Sequence, residues 1–95
     1  MELEFRGEVF FWRGPAPWYF VAVPDEMSRD IEAISTFVSY GWGCIPVRAG
    51  VGATAWTTAL IPKDGRYLVP LRADVRRAES LELADDVTVR LVVDR

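Results

Sequence analysis

Gly41-Trp42-Gly43-Cys44-Ile45-Pro46-Val47, followed by Thr54-Ala55-Trp56-Thr57-Thr58-Ala59-Leu60-Ile61-Pro62, decides how the rest of the chain is read. The two segments put Trp42 and Trp56 where a strand turns and comes straight back. An indole is costly to leave in water, so each ring needs a core or a pocket. The glycines beside them allow close backbone approach or positive φ. Cys44 to Val51 reads as one strand, Gly52-Ala53 as the turn, and Thr54 to Ile61 as the partner strand.

Working outward, Glu2 to Trp12 alternates. Leu3, Phe5, Val9 and Phe11 fall on one face, and Glu2, Glu4, Arg6 and Glu8 on the other, as in a half-buried strand. Gly7 marks a bulge or a close crossing. Arg13 to Pro17 is a turn by composition, and Trp18 to Val23 a central strand. Pro24-Asp25 begins a helix with Asp25 as N-cap. Met27, Ile31, Ile34 and Val38 form its apolar stripe, Ser28, Arg29, Glu32, Ser35 and Ser39 face water, and Gly41 closes it.

Downstream, Lys63-Asp64-Gly65-Arg66 is a tight hairpin turn. Tyr67 to Leu71 is a strand, and Arg72 to Glu79 a short helix with Val75 and Ala78 inward. Asp86 to Val93 is a last strand with Val87, Val89, Leu91 and Val93 on one face. The order is β-β-α-β twice over, an all-β class with two short helices. Tyr19-Phe20-Val21 and Tyr67-Leu68-Val69, about 48 residues apart, hold equivalent places. The reading is a single domain over residues 1–95 with an internal duplication, 1–51 and 52–95.

Composition narrows the function. The chain has 95 residues, a net charge of −3 and a pI near 4.8, which supplies no global field for nucleic acid. The charge is uneven, since Lys63, Arg66, Arg72, Arg76 and Arg77 collect after Arg48. No run of residues is apolar enough to cross a membrane, and the acidic start is unlike a signal peptide. A single cysteine, Cys44, forms no intrachain disulfide and points to a reducing, cytoplasmic setting with the thiol packed in the core. With no histidine, imidazole catalysis and His-ligated metal sites are excluded. No glycine-rich phosphate loop is present, and neither a cofactor nor a metal is implied.

Phe5-Arg6-Gly7, Gly14-Pro15-Ala16-Pro17-Trp18-Tyr19-Phe20-Val21, Val23-Pro24 and Gly41-Trp42-Gly43 match one family's first half. Val47, Gly52, Trp56, Thr58, Leu60, Pro62-Lys63-Asp64-Gly65, Tyr67-Leu68, Pro70, Val75-Arg76 and Leu81 match its second. On these residues the chain resembles, end to end, domain-of-unknown-function family nineteen-oh-five (DUF1905). The resemblance implies a double-split β-barrel capped by helices, with no established activity. That fold is shared with AbrB/MazE/SpoVT-type modules, and the stretch from Val69 to Val89 looks like their strand, helix and turn, with Ala84 where their glycine falls. Relatives often carry a fused YdeI/OmpD-associated domain, which this stretch does not include. Ala53, Ala59 and Ile61 depart from the family pattern.

The candidate ligand-binding residues are Trp42, Trp56, Thr58, Arg72 and Arg76. The tryptophans are either core or the walls of a pocket for a flat ligand. Thr58 is favoured over Thr57 because it fits the family pattern. Arg72 and Arg76, four apart on a helix, either pair with Asp74 and Glu79 or anchor an anion. The expectation is a monomeric, non-enzymatic binding module for a small, partly aromatic ligand or a protein partner, away from membranes. One alternative is AbrB/MazE-like nucleic-acid binding, which the acidic pI disfavours. Another is an enzyme using Thr58, Lys63 or Arg76, for which no base is evident.

Overall fold

A computed structural model of the chain describes residues 1–34 and 43–93. Among them run β1 (Glu2–Glu8), β2 (Phe10–Phe11), β3 (Tyr19–Ala22), α1 (Asp25–Ala33), β4 (Ile45–Val51), β5 (Thr54–Lys63), β6 (Arg66–Pro70), α2 (Ala73–Ala78) and β7 (Asp86–Val92). The strands form one antiparallel sheet in the order β1-β7-β4-β5-β6-β3-β2, curled into a half-barrel. Val9 alone separates β1 from β2, although these strands stand at opposite ends of that order.

The expected single strand from Glu2 to Trp12 is therefore two. At the break, Val9 N–H donates to the Asp85 carbonyl and the Val9 carbonyl accepts from Ala84 N–H, both at 2.9 Å. The alternation expected for this stretch holds through Val9 and then fails. Phe11 is 48% exposed, whereas Phe5 and Val9 are buried. Gly7 is no bulge, since β1 pairs with β7 in unbroken register from Glu2↔Val92 to Glu8↔Asp86. It is a crossing: a Cβ at Gly7 would lie 2.5 Å from Val21 Cγ1 on β3.

One cross-strand row explains how the core accommodates its indole. Leu3 faces Leu91, Leu91 faces Ala49, and Ala49 faces Trp56. The small Ala49 side chain leaves room for the large ring beside it. Both two-residue turns use the left-handed region where the sequence provides for it. Asp64 and Gly65 have φ of 52° and 79°, and Gly52 has 57°.

The helices depart from expectation in three ways. Pro24, not Asp25, is the N-cap of α1, without a side-chain cap bond, while Asp25 pairs with Arg66 at 3.0 Å. Ser28 does not face water: it is 1% exposed, donates to the Val23 carbonyl (3.2 Å) and accepts from Tyr67 N–H (3.3 Å). A small hydroxyl that can both donate and accept suits this narrow gap between α1 and β6. Ala78 is exposed, because α2 is only six residues long and Val75 alone reaches the core. Val38 and Gly41 lie outside the described residues. Cys44 is half-buried rather than fully enclosed. None of the helices among the described residues is long and apolar enough to cross a membrane.

The crossing yields a test. Gly7→Ala should destabilise the protein by about 1–3 kcal/mol, because Val21 is fully buried, stiff and unable to yield. Val21→Ala in the same chain should return part of that loss. Urea unfolding of the two single variants and the double variant measures both, and an unchanged midpoint for Gly7→Ala would mean that the strands do not meet so closely.

Candidate functional site

Among the described residues, those singled out by sequence fall on separate elements, Trp56 and Thr58 on β5 and Arg72 and Arg76 at α2. Trp42 lies outside the described residues. Trp56 is 6% exposed within the core, and its buried Nε1 has no hydrogen-bond partner among the described residues. Thr58 is half-buried and shares the Trp56 and Leu60 face of β5, as period-two spacing requires.

Arg72 and Arg76 diverge. Arg72 is turned to Asp74, with Nε–Oδ1 at 3.3 Å and Nη2–Oδ2 at 3.4 Å. Arg76 Nη1 donates to the Leu71 carbonyl at 2.7 Å, and its guanidinium carbon lies 3.9 Å from the centre of the Tyr19 ring. Glu79, considered as a partner for these arginines, instead accepts a 2.6 Å hydrogen bond from Thr54 Oγ1. Lys63 sits over the Trp12 ring at 4.9 Å and beside Asp64 at 2.6 Å. Trp12 packs on Phe20, whereas Arg76 packs on Tyr19, and neighbouring strand residues point to opposite faces. Lys63 and Arg76 thus serve different faces of β3.

What the fold does assemble is a ladder of rings and cations at the β2–β3 end. Phe11 and Tyr19 are direct cross-strand partners, with ring centres 5.6 Å apart at 80°. Phe11 also meets Trp18 at 6.2 Å and 72°. Arg13 lies 5.0 Å over the Trp18 ring and Arg76 lies over Tyr19. The sequence of contacts is Arg76, Tyr19, Phe11, Trp18, Arg13.

Trp18 enters this ladder through its backbone. Alternation carried back from Phe20 would send its side chain to the Phe20 side of the sheet. A φ of 73° turns it instead toward Phe11. The left-handed region costs a bulky residue about 1–2 kcal/mol, yet Trp18 remains 37% exposed. Trp12 N–H donates to the Trp18 carbonyl at 2.9 Å and closes the loop.

Sequence reading missed Phe11, Trp18, Tyr19 and Arg13 as a group. Strand alternation placed Phe11 inside, and the tryptophan in the turn was absorbed into a strand. The available signal was Arg13-Gly14-Pro15-Ala16-Pro17-Trp18, a cation and an indole bracketing a turn too rich in proline to continue either strand.

The chain belongs to the family described as Domain of unknown function (DUF1905), whose model matches residues 5–91. The matched span contains the Gly7 crossing and every residue of the ladder. No curated protein matches the chain.

Trp56 is the core residue of the candidate set, and this has a measurable consequence. Trp56→Ala should cost about 3–5 kcal/mol in unfolding experiments. Trp56→Phe should cost clearly less, because it also removes a buried N–H that lacks a partner among the described residues. Equal losses for the two variants would show that the indole nitrogen finds a partner in solution.

Proposed function

We propose that the chain is a non-enzymatic binding module built on a double-split β-barrel, and that its ligand face is the ladder from Arg76 to Arg13. The barrel reading is supported by strand usage. β5 pairs with β4 through Leu60 and with β6 from Ile61 onward. The β1–β2 stretch likewise serves β7 first and β3 afterwards. Each half of the chain then contributes one long strand shared between two groups of strands, which suits a duplication of residues 1–51 and 52–95. Phe5 and Val9 take the places of Trp56 and Leu60, and all four are buried.

The observation that carries the binding reading is Trp18. A strained backbone is spent on holding a large ring at the surface, and folded-state stability alone gives no reason for that. The ligand is a partner's side chains or a small, partly aromatic molecule, set against the exposed edges of Phe11 and Trp18 and the two guanidinium groups. Trp56 and Thr58 support the scaffold in this reading, and Arg72 borders the face.

Two outcomes test it. Trp18→Gly should leave stability within about 1 kcal/mol of the parent, since relief of strain offsets the lost ring contacts. The same change should abolish the chemical-shift response of Phe11 and Tyr19 to an aromatic carboxylate such as indole-3-acetate. Shifts centred on Trp56 rather than on these rings would move the site into the core. Light scattering should also find a monomer, because the long edge strand β1 carries the exposed charges of Glu2, Glu4, Arg6 and Glu8, which disfavour edge-to-edge pairing; a tight dimer at low micromolar concentration would contradict that part of the proposal.

A further inference from the structure

We infer that the occupant of the ladder is an extended, acidic, proline-containing segment of a partner protein. The inference rests on the binding reading of this face and adds the chemistry of what binds there. The face is an open ridge, with Phe11 48% and Trp18 37% exposed. A ridge touches a small molecule on one side only, whereas small-molecule sites surround most of their ligand. A chain laid along several rings gathers contacts that a small molecule cannot.

Ring geometry selects among chains. Phe11 stands at 72° to Trp18 and at 80° to Tyr19, so the three rings present no common flat face. Nucleic-acid bases need flat ring faces on which to stack. Here Trp18 and Tyr19 each already have a guanidinium over the ring. A pyrrolidine ring is compact enough to pack against rings set at such steep angles. The backbone points the same way: β2 has only two residues, too few for an added strand to form a ladder. A polyproline II segment needs none, because its own backbone makes no internal hydrogen bonds and its shape is largely preset.

Charge supplies the acidic element. A guanidinium lying on a ring keeps its in-plane N–H groups at the rim, where a carboxylate can accept two of them. Arg13 lies over Trp18 and Arg76 over Tyr19, at the two ends of the ladder; Arg76 already gives Nη1 to the Leu71 carbonyl, and Arg72 at the start of α2 is paired with Asp74. The chain as a whole is at −3, so a polyanion meets net repulsion. A segment with one or two carboxylates set against the arginines keeps the local attraction and little of the penalty.

The test uses the isotope-labelled full chain and three probes: a synthetic peptide of two Pro-Pro-Glu units, its Pro-Pro-Lys counterpart, and oligothymidylate. The glutamate peptide should shift the Trp18 indole N–H and the Phe11 and Tyr19 amides. Trp18→Gly should weaken it by about tenfold or more. Arg13→Gln, at an exposed position, should weaken it several-fold and reduce its salt dependence, with the folded spectrum retained in both variants. Equal binding of the lysine peptide would overturn the acidic character. Tighter binding of oligothymidylate at the same rings would overturn the peptide while leaving the face as a binding site. Shifts elsewhere, or none with any probe, would overturn both.

Discussion

The close passage of β1 over β3 at Gly7 sets the geometry on which the rest depends. A strand that pairs with β7 at its start must reach β3 at its end, and it can do so only by passing near Val21. Any side chain at position 7 would hold the two backbones apart. Just beyond the crossing, Val9 directs its N–H and carbonyl to Asp85 and Ala84, which bends the chain out of the β1 plane. Phe11 consequently reaches the end of β3 beyond the core, and its exposure follows from that bend. β5 performs the corresponding transfer from β4 to β6 within ten residues and without a break.

Fastening of the helices follows a different rule. α1 is held by the buried hydroxyl of Ser28, which satisfies groups on β6 and on the chain entering the helix. The nearby Arg66–Asp25 pair is largely exposed, and such pairs add little to stability. Arg66 also donates to the Val23 carbonyl from Nε and Nη2, both at 3.3 Å, so the same carbonyl gathers Ser28 and Arg66. Position rather than charge makes this junction firm. At the other helix, Glu79 reaches Thr54 at the β4–β5 turn, where a Cβ on Gly52 would collide with its carboxylate.

Much of the framework was legible because local chemistry and tertiary demand agree. Asp64-Gly65 fits a turn that needs two positive φ values, and the valines of β7 alternate as a sheet with one buried face requires. Gly7 announced a close approach, though not which strand approached. Legibility failed where a residue's role depends on what another element does. Ser28 reads as solvent-facing until β6 is placed beside it. Ala78 reads as inward until α2 proves too short. Arg72 and Arg76 share a spacing, but an aspartate two residues on claims one and a distant tyrosine claims the other. The ladder was hidden most deeply, since it needs the Val9 bend and the unusual φ of Trp18 together.

That φ bears on how the site and the scaffold are related. A positive φ is ordinarily met by glycine or a small residue, and the chain uses Gly43, Gly52 and Gly65 for it, with Asp64, Ser80 and Ala84. At position 18 it uses tryptophan, the residue with the most surface to hide. Phe11 and Arg13 recover part of the cost, but Trp18 still keeps more than a third of its surface in water. The proposed binding role accounts for this arrangement through a surface supplied from outside the chain. Contact there would cover the rings and place an acceptor against the two guanidinium groups, and the strain would then help to keep the rings in place before the partner arrives. A preorganised surface loses less entropy on binding than one that must gather its rings. In the proposed binding role, the cost at Trp18 and the exposure of Phe11 serve the same end.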